Sequence, residues 1–208
     1  MDKGKLLIIS GFSGVGKGTI VEKMLEAFDN YTISISCTTR DPRPAEEDGV
    51  HYHFIDKDEF EKMIENDELL EHAKYVDNYY GTPKKFVDDC LERGENVILE
   101  IESEGARKVK EKMPEAIMIF VLPPSAKHLK DRLVNRGSED LEAIEKRLQK
   151  AVQETDAMKH YEFFVINEDI ETAANTIDDI VANANPDLPS EDEVLNIKND
   201  IIDFSKGE

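Results

Sequence analysis

The chain has little of several features that would assign it to a class directly. Its 208 residues include only two cysteines, Cys37 and Cys90, whose spacing fits neither a metal site nor a disulfide framework. We expect both to be small buried side chains in a reducing compartment. The longest apolar runs, such as residues 6–9 and 117–122, are too short to span a bilayer. The first residues lack the basic-then-apolar pattern of a secretory leader, so we expect a cytoplasmic protein with no membrane partner.

Positive charge is also scarce, and the arginines are clustered. Lysine and arginine total 26 against 46 acidic residues, and the net charge of −20 argues against duplex nucleic acid as a partner. Five of the seven arginines form two sets, Arg40 with Arg43, and Arg132 with Arg136 and Arg147. Because the guanidinium fork fits two phosphate oxygens, these sets are candidate anion sites. The alternative is that they form salt bridges with nearby carboxylates.

Apolar segments alternate with amphipathic helical segments along most of the chain. This alternation is typical of an α/β fold with a central parallel sheet. The segment 34–82 breaks the rhythm with short, half-polar strands, so we expect it to be an inserted subdomain. Buried strands are predicted at residues 5–10, 31–37, 96–101, 117–122 and 163–166.

Helical spacing and capping residues place the helices between these strands. After a linker at 183–189, an acidic helix at 190–204 is expected to pack on its own chain or to contact a second copy. The earlier helices are predicted at residues 19–28, 56–66, 82–93, 102–112, 125–136, 141–160 and 170–182.

Residues 11–19, GFSGVGKGT, match the spacing GxxxxGK of a phosphate-binding loop between a strand and a helix. Glycines allow successive N–H groups to surround an anion, and the helix N-terminus adds its positive dipole. Lys17 is expected to contact the β- and γ-phosphates. Because Gly18 replaces the usual hydroxyl residue, Thr19 is expected to support Mg²⁺, directly or through water. The nucleotide-binding stretch comprises Gly11, Phe12, Ser13, Gly14, Val15, Gly16, Lys17, Gly18 and Thr19.

The loop that carries Arg40 and Arg43 precedes Tyr52 and suggests a second phosphate site, hence a phosphoryl acceptor. Glu71 lies on a half-buried strand, where a carboxylate can accept the N1–H and N2–H₂ of guanine, donors that adenine lacks. The alternative is an ordinary surface glutamate. His51 and His53 are close enough in sequence to suggest a metal pair, but no third ligand is apparent, so we expect them to face solvent or substrate.

Two further features lie beside the predicted nucleotide. Glu100 ends a buried strand, at the edge where ligands of open α/β sheets gather, and is a candidate for supporting Mg²⁺. Arg132 and Arg136 lie four residues apart on one helix face, so both can point at one anion. With Arg147, they suggest a lid that closes over the transferring phosphoryl group.

Ten ordered motifs over about residues 4–183 resemble those of guanylate kinases: GFSGVGKGT, SISCTTRDPR, DGVHYHF, LLEHAKY, NYYGT, VILEIE, FVLPPS, RLVNRG, EKRL and VINED. The resemblance implies a three-layer P-loop fold that transfers the γ-phosphoryl of ATP to GMP, and to dGMP, with Mg²⁺. It also implies a core at 1–33, 83–125 and 161–183, a GMP-binding insert at 34–82 and a lid at 126–160, while the acidic tail at 184–208 lies outside it.

The resemblance also implies residue roles. The GMP phosphate would be held by Ser36, Arg40, Arg43, Tyr52 and Tyr80, and guanine would be read by Glu71, Thr82 and Glu102. The catalytic cations would be Lys17, Arg40, Arg132, Arg136 and Arg147. Asn167 would lie near the adenine of ATP, and Thr19 and Glu100 would support Mg²⁺. Two departures stand out: Phe12 replaces a proline, which is expected to loosen the loop, and Glu102 is one methylene longer than the aspartate of some members.

Two other functions are compatible with parts of this pattern. A P-loop nucleoside monophosphate kinase with a different acceptor base would share the loop and the lid. A guanylate-kinase-like interaction module would share the fold, but such modules typically have degraded phosphate loops, whereas Lys17, the glycines and the lid arginines are all present here. The sequence leaves open whether the protein is a monomer or a homodimer.

Overall fold

The computed structural model describes residues 3–75, 77–135 and 141–206. The chain divides into two compact units: the first comprises Met1–Ile8 and Asn30–Ala116, the second Ile9–Asp29 and Ile117–Glu208. The strands of the described residues are β1 (Leu6–Gly11), β2 (Tyr31–Ile33), β3 (Cys37–Thr38), β4 (His53–Phe54), β5 (Leu69–Tyr75), β6 (Asn78–Pro83), β7 (Asn96–Glu100), β8 (Ile117–Leu122) and β9 (Phe163–Ile166).

The helices lie between these strands, mostly where the apolar spacing predicts them. Asp56 begins one of them, because its side chain accepts the N–H of Glu59 at 2.8 Å. The helices are α1 (Lys17–Ala27), α2 (Lys57–Glu65), α3 (Lys84–Glu92), α4 (Ser103–Lys112), α5 (Ala126–Asn135), α6 (Leu141–Glu154), α7 (Ile170–Ala182) and α8 (Glu191–Lys206).

The first unit contains two sheets. In one, the strand order is β2-β7-β1, and β2 pairs with β7 in parallel, with Tyr31 opposite Asn96. The other is mixed, with the order β4-β3-β6-β5, and contains the antiparallel hairpin of β5 and β6. Its core is formed by Cys37, Phe60 and Leu69, all buried. The predicted α/β class and the break in rhythm after residue 33 are therefore confirmed.

The prediction of a single strand at residues 31–37 is wrong. The chain forms β2 and then, after an interval at 34–36, β3, which belongs to the mixed sheet and pairs with β6. The N–H of Ser34 still donates to Ile98 in the first sheet, whereas the carbonyl of Ser36 accepts the N–H of His53 in the second. An apolar alternation shows that residues are extended but does not show which neighbour they pair with, so two short strands looked like one.

The second unit contains the end of β1 with β8 and β9, in that order. β8 and β9 pair in parallel from Ile119 opposite Phe163 to Leu122 opposite Ile166, as expected of fully apolar strands. Helix α1 packs against α7. The long helix predicted to reach residue 160 ends at Glu154 instead, and a separate 3₁₀ turn spans Ala157–His160. At this end the hydroxyl of Thr155 donates to the carbonyl of Val152, a local bond that competes with helix continuation.

The acidic tail helix α8 packs on its own chain, against α5 and α6. Ile197 and Ile201 are buried, and Oδ2 of Asp200 accepts the first N–H of α5, from Ala126, at 2.6 Å. The expectation that the tail covers its own body is thereby confirmed. Within the described parts of the chain, no helix is both long and apolar enough to cross a membrane.

Candidate functional site

The glycine-rich loop of the second unit joins β1 to α1 and has the geometry of an anion-binding turn. Gly14 and Gly16 have positive φ angles of 85° and 99°, which other residues rarely adopt. A Cβ atom at Gly16 would also lie 2.6 Å from Nδ2 of Asn167, so space as well as backbone angle requires this glycine. Because α1 begins at Lys17, the N–H groups of its first turn lie at the end of the loop.

The ammonium group of Lys17 is held by the main chain of the same loop. Its Nζ donates to the carbonyl oxygens of Gly11 at 2.8 Å and Phe12 at 3.2 Å. These bonds keep a positive charge beside the predicted phosphate site. Thr19 lies exposed in the first turn of α1, and Gly18 before it is half-buried.

Phe12 anchors the loop rather than loosening it. Its side chain is fully buried, and its ring meets that of Phe120 edge-on, with centroids 5.1 Å apart. Phe120 lies on β8 and in turn contacts Tyr161 and Phe164. The expectation that replacing proline at this position loosens the loop is therefore wrong, because an aromatic ring fixed in the core restrains the backbone that carries it.

Two polar side chains hold the far side of the loop through its main chain. Nη1 of Arg132 and Nδ2 of Asn167 both donate to the carbonyl of Val15, at 2.7 Å and 2.8 Å. Nη2 of Arg132 donates to the carbonyl of Asn167 at 2.7 Å, so the guanidinium joins the loop to the residue after β9. Partial burial lowers the pKa of Arg132. In this state Arg132 supports the loop, and Asn167, which is buried, lies against it.

The arginine set is only partly brought together by the described structure. Nη1 of Arg147, on α6, donates to the hydroxyl of Ser13 in the loop at 3.1 Å. Arg132 contacts the same loop at Val15. Arg136 and the turn 137–140 lie outside the described residues. Two cations of the predicted lid therefore contact the predicted phosphate loop directly.

The first unit contains a cavity of about 350 Å³, which is within the range of small-molecule sites. It collects side chains from both sheets of the unit, from the loops that precede β3 and β4, and from the start of α4. Five of the predicted acceptor-site residues line it: Ser36, Tyr52, Glu71, Tyr80 and Glu102.

Glu71 is buried in the wall of this cavity, so it is not the surface glutamate that the alternative proposed. It is only 6% exposed, and its Oε1 accepts the hydroxyl proton of the fully buried Thr82 at 2.9 Å. Burial raises the pKa of the Glu71 carboxyl, and the bond from Thr82 opposes that shift only in part. A carboxylate that has lost hydration in this way gains strongly from a ligand that donates hydrogen bonds.

Arg40 is paired with a carboxylate that the sequence analysis did not single out. Its Nη1 and Nη2 donate to the two oxygens of Glu46 at 2.8 Å and 2.9 Å. The N–H of Arg43 donates to the same carboxylate at 2.8 Å, and together these bonds lower the pKa of Glu46 to about 2. The salt-bridge alternative is thus correct for Arg40, whereas the exposed Arg43 contributes its main chain.

Arg40, which is paired with Glu46, also lies against two aromatic rings. Its guanidinium carbon lies 5.5 Å from the ring centre of Tyr52 and 5.7 Å from that of Phe54. Tyr52 also meets Tyr80 edge-on at 5.9 Å, and burial raises the pKa of Tyr52. Two phenol groups therefore line the cavity, and a cation lies against the ring of one of them, Tyr52.

The carboxylates that follow β7 contribute the opposite charge. Glu100 is the exposed last residue of the strand, and Glu102 precedes the first turn of α4 as its cap residue. Both line the cavity, as does Glu104. The carboxyl end of this strand therefore contributes side chains to the cavity of the first unit, and the roles suggested for them remain predictions.

The histidine pair does not form a metal site on one strand. His51 precedes β4, and its Nδ1 accepts the N–H of Glu47, whereas His53 begins the strand. Over residues 3–75, 77–135 and 141–206 there is no cluster of three or more histidine, cysteine or acidic side chains suited to a metal. Cys37 and Cys90 are both free and buried, as expected.

Sequence reasoning missed two residues of the cavity region, Glu46 and Gly105. Glu46 lies six residues after its partner in a proline-containing loop, and no regular spacing predicts such a pair. Gly105 is a glycine within a helical pattern, which is itself a signal of close packing. Its position against Glu71 depends on how α4 packs on β5.

The two sites have complementary chemistry. The loop presents main-chain donors, one ammonium group and two guanidinium groups, a set suited to a chain of phosphates. The cavity presents a buried carboxylate and two tyrosines, and Arg40 lies against the ring of one of them. This set suits a base with hydrogen-bond donors and one phosphate. Together these groups suit two nucleotides rather than one.

Comparison with known proteins shows which family this chain resembles. The family model described as guanylate kinase matches residues 3–184. A guanylate kinase of Clostridioides difficile (strain 630) is 48% identical over 206 residues, covering 99% of this chain and 98% of the relative. A guanylate kinase of Latilactobacillus sakei subsp. sakei (strain 23K) is 47% identical over 189 residues, covering 90% and 93%.

A solved structure shows a similar fold. The crystal structure of guanylate kinase from Anaplasma phagocytophilum matches with a TM-score of 0.71 at 33% identity, covering 88% of this chain and 87% of that chain. The match with the Clostridioides difficile relative also extends into the acidic tail, which the sequence analysis had placed outside the resemblance.

Proposed function

The chain belongs to the guanylate kinase family, and from this premise we propose that the cavity of the first unit binds GMP and the glycine-rich loop of the second binds ATP. The reaction is the phosphorylation of GMP by ATP, and we extend the acceptors to dGMP. The observation that supports placing GMP in the cavity is Glu71, a buried carboxylate bonded to Thr82 in the wall of a nucleotide-sized cavity.

Recognition of guanine is assigned to the carboxylate wall. Glu71 accepts from N1–H and N2–H₂ of the base, Thr82 orients Glu71, and Glu102 contacts the base edge. Adenine lacks these donors and would leave the buried carboxylate without its partners. Sites of this kind discriminate by roughly 10⁴–10⁵ between ligands that do and do not complete the hydrogen bonds.

Binding of the GMP phosphate is assigned to the aromatic end of the cavity. Ser36, Tyr52 and Tyr80 supply hydroxyl donors, and Arg40 supplies its guanidinium, which Glu46 and the rings of Tyr52 and Phe54 already hold in place. Arg43 would turn its exposed side chain onto the same phosphate. These contacts position one phosphate oxygen as the attacking group.

Binding of ATP is assigned to residues 11–19. The main-chain N–H groups of the loop hold the β- and γ-phosphates, and Lys17 neutralises charge that develops during transfer. Arg132, Arg147 and Arg136 are proposed to clamp the migrating group once the lid closes, which requires Arg132 to leave its carbonyl partners. Asn167 is proposed to lie near the adenine.

The proposed mechanism needs no covalent intermediate on the protein. A phosphate oxygen of GMP is already an anion and attacks the γ-phosphorus in line, and ADP leaves. The side chains therefore contribute by positioning the reactants and by neutralising charge.

The side chains proposed for Mg²⁺ are compatible with that ion. Thr19 offers an exposed hydroxyl and Glu100 an exposed carboxylate, and oxygen donors are the ligands that Mg²⁺ prefers. Mg²⁺ in kinase sites is usually held by one or two protein oxygens together with phosphates and water. When bound, the ion would supply charge neutralisation on the phosphates.

A panel of acceptors tests the function directly. With ATP as donor, ADP release is expected with GMP and dGMP and not with AMP, CMP or UMP. Preference for any other base would show that the cavity has been assigned to the wrong acceptor. Absence of turnover with every acceptor would favour a binding module instead.

A single substitution tests the assignment of the base. Glu71→Gln keeps the size of the side chain but replaces one acceptor oxygen with a donor, so the KM for GMP should rise and the preference over AMP should fall. The KM for ATP is the internal control and should not change. Unchanged GMP kinetics would remove Glu71 from the proposed role.

For localisation and assembly we propose a cytoplasmic enzyme that is a monomer or a homodimer. The two nucleotides it uses are cytoplasmic metabolites, and both of its cysteines are free thiols. Sedimentation at several protein concentrations distinguishes the two assembly states.

A further inference from the structure

Gly105, in the first turn of α4, is a glycine that the backbone does not require. It is not among the residues with a positive φ angle, so an alanine would fit the helical backbone and favour it. What excludes a side chain is Glu71. A Cβ atom at Gly105 would lie 2.8 Å from Oε2 and 3.2 Å from Cδ of Glu71, which is closer than such atoms approach.

We propose that Gly105 is a specificity-determining position for the acceptor base, because the absence of its side chain provides the space that the Glu71 carboxylate occupies. The inference rests on the proposed role of Glu71 in reading guanine. Gly105 acts through Glu71 and is therefore a positioning residue rather than a catalytic one.

Two hydrogen bonds oppose a movement of α4 away from β5 that would relieve the contact. Nζ of Lys108 donates to the carbonyl of His72 at 2.9 Å, and Nζ of Lys112 donates to that of Leu69 at 3.1 Å. These two bonds attach α4 to β5 on both sides of Glu71. The carboxylate end of a side chain is softer than two elements joined in this way, so a methyl group at Gly105 would displace the carboxylate.

Displacement of the carboxylate would alter the surface presented to the base. The other oxygen of Glu71 accepts from Thr82, so the group has one anchored atom and one atom against Gly105. Moving Oε2 rotates the carboxylate plane away from the alignment that a two-point contact with a base edge requires.

Gly81 provides a contrast within the same cavity. A Cβ atom there would meet Phe60 at 2.9 Å, the carbonyl of Glu71 at 3.0 Å and Leu69 at 3.0 Å. Its neighbours are core side chains and main chain, so Gly81 is a packing position. The nearest neighbours at Gly105 are all atoms of the Glu71 side chain, which makes it the more selective probe.

The test compares Gly105→Ala with Asn175→Ala, an exposed position inside α7 where alanine also favours the helix. For Gly105→Ala we expect a melting temperature that is not lowered and a KM for GMP raised roughly tenfold or more, which corresponds to 1.4 kcal/mol or more. The KM for ATP should not change, and discrimination between GMP and IMP, which lacks the 2-amino group, should fall. Asn175→Ala should change none of these kinetic values.

A double-mutant cycle with Glu71→Ala separates the possible outcomes. In the Glu71→Ala background, Gly105→Ala should add no further rise in the KM for GMP, because the carboxylate it displaces is gone. An equal rise in both backgrounds would overturn the inference and indicate a general effect on the cavity.

The cycle also distinguishes failure of the inference from failure of the proposed function. If Glu71→Ala raises the KM for GMP and Gly105→Ala does not, Gly105 is not a specificity position but the role of Glu71 stands. If Glu71→Ala itself leaves GMP kinetics unchanged, the proposed reading of guanine fails and the inference fails with it.

Discussion

The glycine-rich loop of the second unit and the cavity of the first unit are built by opposite means. The loop is nine consecutive residues, 11–19, and its proposed phosphate-binding groups are mainly main-chain N–H donors. The cavity is lined by residues that range from Ser36 to Gly105 along the sequence. One site is a local conformation, and the other exists only when strands and a helix have packed.

The two sites also differ in charge. Lys17, Arg132 and Arg147 give the loop region cations beside a helix N-terminus, which suits phosphates. Glu71 and Glu102 give the cavity wall carboxylates, which suit a base with N–H donors. A phosphate site depends on the positions of main-chain donors and cations, whereas a base site depends on the burial of a particular acceptor. The two sites should therefore respond differently to substitution and to pH.

The largest effect is expected for Lys17→Ala in the loop. Removing the ammonium group should lower kcat by about 10²- to 10³-fold or more, because it removes charge stabilisation that no neighbour replaces. Thermal unfolding followed by circular dichroism should show a folded protein. Lys23→Ala in the same helix is the control and should retain activity. Near-normal turnover of Lys17→Ala would mean that main-chain donors alone carry the loop site.

Phe12→Ala tests whether the loop depends on its anchor in the core. Removing a fully buried aromatic ring should lower the free energy of unfolding by about 3–5 kcal/mol. Phe86, which is 41% exposed on α3, is the matched control, and Phe86→Ala should cost much less. Urea unfolding of the two variants measures the difference. Equal losses would show that the contact with Phe120 does not hold the loop.

Glu71→Gln tests the burial of the acceptor in the cavity through pH. The folded-state pKa of Glu71 is raised from its ordinary value of 4.5, so ionisation is less favourable in the folded protein. The stability of the wild type relative to Glu71→Gln should therefore be greatest below about pH 4.5 and fall as the pH rises through the folded pKa. Unfolding free energies of both proteins between pH 4 and 8 measure this. A difference that is independent of pH would contradict the burial argument.

Glu46→Gln should also change the pH dependence of stability, by a smaller amount than Glu71→Gln and in the opposite direction. Arg40 lowers the folded-state pKa of Glu46 from 4.5 to about 2, so its contribution to stability is present above about pH 4.5 and is lost as the pH falls towards 2. The stability of the wild type relative to Glu46→Gln should thus decrease on acidification. Unfolding at pH 7, 4 and 2.5 measures it, with Glu47→Gln as the exposed control. The same trend in Glu47→Gln would remove the assignment to Arg40.

Much of the fold was predictable from pattern alone. Strands β8 and β9 begin and end where the apolar spacing predicts them, and so does α7. The division of residues 31–37 between two sheets was not predictable, because it depends on pairing with β7 and β6 far along the chain. Helix α6 ends at Glu154, beside a local bond from the hydroxyl of Thr155 to the carbonyl of Val152, whereas the apolar spacing continues to residue 160.

The candidate sites likewise include features that the sequence predicted and features that it did not. The roles suggested for Lys17 and the loop glycines rest on residues that are neighbours in sequence, and the structure gives them the expected conformations. The burial of Glu71 was one of two open readings, since a half-polar strand does not reveal which face is covered. No regular spacing in the sequence predicts the contact of Glu46 with Arg40 or that of Gly105 with Glu71.

By itself the amino-acid sequence determined the α/β class, the glycine-rich turn between β1 and α1 and the family, because each depends on residues that act through local conformation or through a fixed order of motifs. Tertiary structure alone decided that Phe12 anchors the loop, that Glu46 holds Arg40 and that Gly105 leaves room for Glu71. These contacts join residues on different elements, and only packing of those elements brings them within a few ångströms.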